Sequence, residues 1–245
     1  MSKKVALITG ANKGLGFETA KQLGKEGITI IAASRNKERG EKAVAELKAA
    51  GVDAESLQLD IDNPTDISNA YEYINNKYGK LDILVNNAGI IAEEGHFGSN
   101  TSTTISNEEL TKTFATNFFN VVALTNTLLP LIKKSEAGRI VNLSSILGSL
   151  NLHADASSPI YGSKLFAYNS SKTALNAYTV HLAAALADTN IKVNSAHPGW
   201  VKTELGTSDA PMEIVDGAKT SVALSLLGND GYTGKYIHLG QELPW

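Results

Sequence analysis

The chain has 245 residues, 42% of them hydrophobic and 19% charged, with a net charge of −3. This is globular composition, and it excludes the basic footprint of a nucleic-acid or anionic-membrane binder. The absence of cysteine rules out disulfides and thiolate metal sites, and fits a reducing cytoplasm. The opening MSKKVALITG sets two lysines before an apolar run, Val5 to Ile8, too short for a signal-peptide core. No stretch approaches the length of a membrane span, so the expectation is a soluble, cytoplasmic protein. Without a linker, low-complexity tract or repeat, one domain is expected rather than two.

Short β-branched runs recur at 5–9 (VALIT), 28–33, 55–60, 81–86, 139–144, 191–196 and 234–239. They are too apolar to have a wet face and predict buried parallel strands. A helix is predicted over 16–25, with Ala20 and Leu23 inward and Gly27 as its stop. Asn63 and Pro64 open another that ends at Gly79. Ser106 and Glu109 have capping-box spacing and begin a long helix reaching about 134. Two more start near Ser163 and Pro211. Strand–helix alternation throughout predicts a single-domain α/β fold, a doubly wound seven-stranded parallel sheet. Ligands of such sheets bind beyond the carboxyl ends of the strands.

The first strand runs into TGANKGLG, Thr9 to Gly16. Gly10 permits a tight turn, Gly14 a close approach of backbone to a pyrophosphate, and Gly16 packing of the next helix on the strand. The G-x-x-x-G-x-G spacing departs from the generic dinucleotide fingerprint, and no Lys-Ser/Thr follows to make a P-loop. The plain alternative is a tight turn without ligand. Farther on, PIYGSKLFAYNSSK (159–172) holds two tyrosine–lysine pairs, Tyr161 with Lys164 and Tyr168 with Lys172. Four-residue spacing puts Tyr168 and Lys172 on one helix face, where an ammonium can lower the phenol pKa from about 10. By itself the pair is a weak signal and reads first as a solvated helix face.

TGANKGLG, NNAG at 86–89, Asn117, VNLSS at 141–145, Tyr168-x-x-x-Lys172 and HPGWVKT at 197–203 stand in the order found in short-chain dehydrogenases/reductases. The resemblance covers nearly the whole chain, and HPGWVKTELG looks most similar to carbonyl reductases. It implies a Rossmann fold and an NADP(H)-dependent reduction of a ketone or aldehyde to an alcohol, reversibly. By that resemblance Tyr168 is the general acid/base, and Lys172 lowers its pKa and bonds the nicotinamide ribose. Ser145 bonds the substrate carbonyl, and Asn117 holds a relay water. The phosphate loop would use Gly10, Asn12, Lys13, Gly14, Leu15 and Gly16. Asp60 and Ile61 are assigned to the adenine edge, and Asn87, Ala88 and Gly89 to the loop by the adenosine ribose. Pro198, Gly199, Val201 and Thr203 would close on the nicotinamide. Asp60 could equally cap the following turn, and Ser144 and Ser145 could cap theirs.

The second strand ends IIAASRN, with no acid where an NAD site usually carries one. Ser34 can donate to a 2′-phosphate, Arg35 offers a planar fork and Lys13 a second charge, which favours NADP(H). The histidines at 96, 153, 181, 197 and 238 show no ligand spacing, so no metal is expected. Tyr161 fails the Y-x-x-x-K spacing, and Tyr161 and Trp200 are candidate substrate contacts. From Ser145 to Tyr168 is 23 residues, about twice the family's usual gap. The extra segment, near 146–163, resembles a shorter form of the insertion in monomeric carbonyl reductases, and a monomer is expected over a dimer or tetramer. Two other functions share the fold: a non-catalytic NADP(H)-binding regulator, and a dehydratase or epimerase with retained nucleotide.

Overall fold

The computed structural model describes residues 3–93 and 101–245. Its strands are β1 (Val5–Thr9), β2 (Thr29–Ser34), β3 (Ala54–Gln58), β4 (Ile83–Asn86), β5 (Arg139–Leu143), β6 (Lys192–Ala196), β7 (Tyr236–His238) and β8 (Gln241–Glu242). They form one sheet in the order β3-β2-β1-β4-β5-β6-β7-β8. The first seven are parallel. The expectation of seven strands needs one correction: β8 returns antiparallel on β7 through a two-residue pairing. A strand of two residues has no periodicity for a sequence reading to find.

Successive residues of each inner strand enter opposite cores, as the pleat requires. Val5, Leu7, Ile31 and Leu84 pack on one face with Ile74, Leu124, Leu128 and Leu182. Ala6, Ile8, Ile30, Ile83 and Val85 pack on the other with Ala20, Leu23, Leu47 and Leu224. The helices supplying these layers are α1 (Gly14–Lys25), α2 (Lys37–Ala49), α3 (Pro64–Tyr78), α4 (Asn107–Phe114), α5 (Asn120–Ile132), α7 (Phe166–Ala185) and α8 (Ile214–Ser225), with a short α6 (Leu150–Ala154) before α7. The Ser106–Glu109 capping box is present at α4, and Gly79 ends α3 with a left-handed φ of 69°.

Three expectations change. Helix α2 was not anticipated, because its inward stripe of Gly40, Ala43, Val44 and Leu47 is made half of small residues. The long helix is not uniform: a π-helical turn, Ala115–Phe119, separates α4 from α5 and contains Asn117. That whole helical stretch, Asn107–Ile132, is long and apolar enough by composition to cross a membrane, with a mean hydropathy of 1.3 over its most apolar window. The sequence reading found no such stretch. Here its apolar residues Leu124, Leu128, Leu131 and Ile132 are buried in the core.

Candidate active site

Gly10 and Gly14 hold left-handed φ values of 64° and 57° after β1. A Cβ on Gly16 would lie 2.5 Å from both the Gly10 carbonyl oxygen and the Asn87 amide nitrogen, so α1 meets the loop only because Gly16 has no side chain. Asn87, beyond β4, braces this loop: its Nδ2 donates to the Thr9 carbonyl at 2.7 Å. Thr9 Oγ1 in turn accepts from the backbone N–H groups of Asn87 and Ala88, at 3.0 and 2.9 Å. Leu15 faces α8 across Gly217. Helices α2, α3 and α4 are capped by Asn36, Asn63 and Ser106. The N-terminus of α1 has no side-chain cap and no acid in its first turn. Its open N–H groups and positive dipole end, behind a glycine loop, make a cradle that fits a pyrophosphate.

Beside the cradle lies an open cleft of about 320 Å³ lined by Asn12, Lys13, Arg39, Lys42, Ala43, Glu46 and Glu204. Lys13 pairs there with Glu204, and that ammonium holds the Glu204 carboxyl below its usual range. Ser34, assigned to a phosphate by its position, is 3% exposed and donates to the Asn36 carbonyl at 3.0 Å, so it shapes the entry to α2 instead. Arg35 is exposed but is not among the cleft's lining residues, whereas Arg39, on the first turns of α2, is. Asp60 Oδ1 accepts from the Asp62 N–H at 3.1 Å, the turn-capping alternative, and Ile61 is buried in the core.

Tyr168 and Lys172 stand on α7, both buried, at 6% and 4% exposure. The Tyr168 phenol lies toward the Ser145 hydroxyl beyond β5, which favours its ionised form, but burial outweighs this and pushes its pKa up to about 12; Ser145 Oγ itself accepts from the Leu147 N–H at 3.2 Å. Lys172 donates from Nζ to the Leu143 carbonyl at 2.8 Å, and burial brings its pKa down to about 8. Gly89 lies between the groups: a Cβ there would come 3.4 Å from Lys172 Nζ and 3.3 Å from Asn117 Oδ1. Asn117 is fully buried; its Oδ1 accepts from the Ile90 N–H at 2.8 Å, and its Nδ2 donates to the Ile90 carbonyl at 2.8 Å and to Ser171 Oγ at 3.1 Å. The polar bonding of this side chain therefore ties the β4 loop to α7, and π-helical turns such as the one that carries it are frequent at functional sites. Ser144 does not share the mouth with Ser145. It is 2% exposed and lies near the buried Tyr236.

Beyond β6, Gly199 takes a left-handed φ of 94° after Pro198. The following segment is closed at its base by a bridge between Val201 and Met212. The Val201 carbonyl accepts from the Thr203 N–H at 2.8 Å, while its own N–H has no partner among the described residues. Thr203 Oγ1 accepts from the Gly206 N–H at 3.0 Å, and its methyl is the nearest neighbour a Cβ on Gly14 would meet, at 3.7 Å. The turn thus faces the glycine loop across the cradle. Trp200 is exposed, its indole N–H donating to the Gly206 carbonyl. No metal-binding group of histidines and acids occurs among the described residues; His96 lies outside them.

The short chain dehydrogenase family model matches residues 4–213. The chain is a short-chain dehydrogenase/reductase. A mouse relative, carbonyl reductase [NADPH] 1, is 32% identical over 287 aligned positions, covering 100% of this chain and 99% of that one. The (+)-neomenthol dehydrogenase of Capsicum annuum is 31% identical, covering 97% of this chain and 96% of that protein. Among solved structures, the carbonyl reductase Sniffer of D. melanogaster superposes with a TM-score of 0.84 at 29% identity, covering all of both chains. The chain is a carbonyl reductase-like member of the family, an oxidoreductase acting between carbonyl and alcohol.

In this short-chain dehydrogenase the insertion packs against the first turns of α7. Gly148 abuts the Lys172 backbone, where a Cβ would come within 2.9 Å, and its carbonyl accepts from Thr173 Oγ1 at 2.9 Å. Asn169 Nδ2 donates to the Ser163 carbonyl at 2.9 Å. Tyr161 remains exposed, with Lys164 Nζ 4.6 Å from its ring centroid. Three site residues escaped the sequence reading. Arg39 was hidden with α2. His197 was weighed only as a metal ligand, yet its Nδ1 accepts from the Ile146 N–H at 3.1 Å and joins the β5 and β6 loops. Glu93 had no local pattern at all, since its partners lie 74 and 75 residues away.

Proposed function

We propose that this protein is an NADPH-dependent reductase of ketones or aldehydes in which Tyr168 delivers the proton. The observation carrying the reading is a buried phenol, with the Ser145 hydroxyl on one side and Lys172 behind it, at the carboxyl ends of β4 and β5 beside an uncapped glycine-loop helix. A phenol pushed to about 12 keeps its proton at neutral pH, which suits a general acid. Ser145, whose hydroxyl lies toward that phenol, is placed to orient a substrate carbonyl oxygen against the same proton, and both donors then stabilise the alkoxide that develops. Lys172 places a cation beside the phenolate left behind.

NADP(H), when bound, supplies or accepts the hydride. The open N–H groups of α1, with Gly10 and Gly14, would hold its pyrophosphate, and the Val201 N–H and Thr203 would meet its nicotinamide end. Lys13, Arg39 and Lys42 supply the positive charge that a 2′-phosphate needs, and no acid ends β2. The mouse relative's name carries NADPH, which supports this preference. The test is to follow NADPH absorbance over a panel of aldehydes and ketones with the wild-type chain and Tyr168→Phe. Turnover by the wild type that the variant loses upholds the reading; cofactor that binds but is never consumed by any carbonyl removes it.

A further inference from the structure

Helix α7 carries the catalytic tyrosine, and its N-terminus is bare in its own sequence. The residue at the cap is Leu165, whose side chain has no acceptor. The first N–H groups of a helix have no partner within it. In α7 two of them are satisfied from far along the chain. Glu93, beyond β4, accepts from the Ala167 N–H through Oε1 and from the Tyr168 N–H through Oε2, both at 2.9 Å. This carboxylate is 7% exposed, and no lysine, arginine or histidine pairs with it among the described residues. A buried anion without a cation is costly unless charge-assisted hydrogen bonds compensate it. The positive end of a 20-residue helix and two convergent N–H donors do so here.

We propose that Glu93 is a positioning residue for Tyr168, a carboxylate that caps the catalytic helix from outside and fixes where its phenol stands. This rests on the reading of Tyr168 as the proton donor. One Glu93 oxygen is bonded to the backbone of the catalytic residue itself, so a shift of the β4 loop moves the phenol against Ser145. Displacements of about 1 Å in such a group cost about 10²-fold in rate.

The carboxylate also has an electrostatic role. The groups placed about the Tyr168 side chain are Ser145 from the β5 end, Lys172 from α7 and Tyr236 from β7, while Glu93 from the β4 loop bonds its backbone N–H. Among these Glu93 is the anion, and its charge lies on the N-terminal N–H groups of α7, where it offsets the positive end of the helix. Removing that charge uncovers the positive end of the helix that carries Tyr168. The change eases ionisation of Tyr168, so the acidic limb of alcohol oxidation should move to lower pH.

The test uses the full chain with Glu93→Gln, nearly isosteric and uncharged, and Glu93→Ala. Amide exchange of Ala167 and Tyr168 is read by NMR in the free protein, alongside kcat, KM for NADPH and the pH profile of alcohol oxidation. Expected in Glu93→Ala are faster exchange at those two amides and a kcat for carbonyl reduction down about tenfold or more, with KM for NADPH within about twofold. Glu93→Gln should retain more rate and shift the oxidation limb toward acid. Unchanged exchange in both variants overturns the cap. Faster exchange with kcat and pH profile unchanged overturns the positioning role. A wild-type chain that reduces no carbonyl overturns the functional reading and the positioning role with it, while exchange still judges the cap.

Discussion

Lys172 Nζ lies 5.6 Å from the ring centroid of Tyr168 and donates to the Leu143 carbonyl, not to the phenol. The pair is set out as the four-residue spacing suggests, but in the free chain desolvation governs both groups. The phenol goes up to about 12 and the amine down to about 8. A buried amine with a lowered pKa carries its charge below that value and loses it as pH rises through it. The dependence of kcat/KM for NADPH, which reports the free enzyme, should therefore show a basic limb near pH 8. A profile flat to pH 10 would mean that burial of Lys172 does not set its charge.

The two tyrosines of the 159–172 stretch should behave differently. Tyr168→Phe removes the buried donor and should lower kcat for carbonyl reduction by about 10²–10⁴-fold. Tyr161 is exposed and stacked under Lys164. Tyr161→Phe should keep kcat within about threefold, any change appearing in KM for the carbonyl. Steady-state kinetics on both variants decides it, and the reverse pattern would exchange their roles.

NADPH should be preferred over NADH through the cleft at α2. Arg39 lines that cleft with Lys13 and Lys42, and Arg35 does not. A hydrogen bond to a charged group contributes about 1.5–3 kcal/mol. Arg39→Ala should thus reduce kcat/KM with NADPH by about tenfold or more and leave NADH little changed. Arg35→Ala should have the smaller effect. Equal losses with both cofactors would show that Arg39 acts on the fold and not on the phosphate.

Acid should weaken the fold through His197. Burial, with His238 beside it, pushes its pKa down to about 3. Its Nδ1 accepts from the Ile146 N–H, so the folded chain holds it neutral. In the unfolded chain it takes up a proton near pH 6.5. Between those values the unfolded state binds more protons, so stability present above about 6.5 is lost as pH falls toward 3. Urea midpoints at pH 7 and pH 5 should differ more for the wild type than for His197→Asn. An equal difference would assign the acid sensitivity to other groups.

By itself the sequence determined the layers and the local parts of the candidate site. The run VALIT buries both faces, as an inner parallel strand does, whereas the 55–60 run became the partly exposed edge strand β3; Tyr168 with Lys172 is a local relation carried by helix pitch. The glycine loop was legible for the same reason, since left-handed backbone and close approach select glycine at Gly10, Gly14 and Gly16. What only the tertiary structure decided was every relation between remote segments. The inward face of α2, and with it Arg39, was masked by the small residues Gly40 and Ala43; at Gly40 the helix packs too close to Ser34 and Ser56 for a side chain. Asn117 was readable as a polar helix residue; that its amide ties Ile90 to Ser171 depends on how α7 lies against a π-helical turn. Glu93 carries no local signal, because a helix cap supplied from 74 residues away is specified by packing and not by spacing. The pKa values of Tyr168 and Lys172 belong to the same class: burial sets them, and burial exists only once the chain has folded.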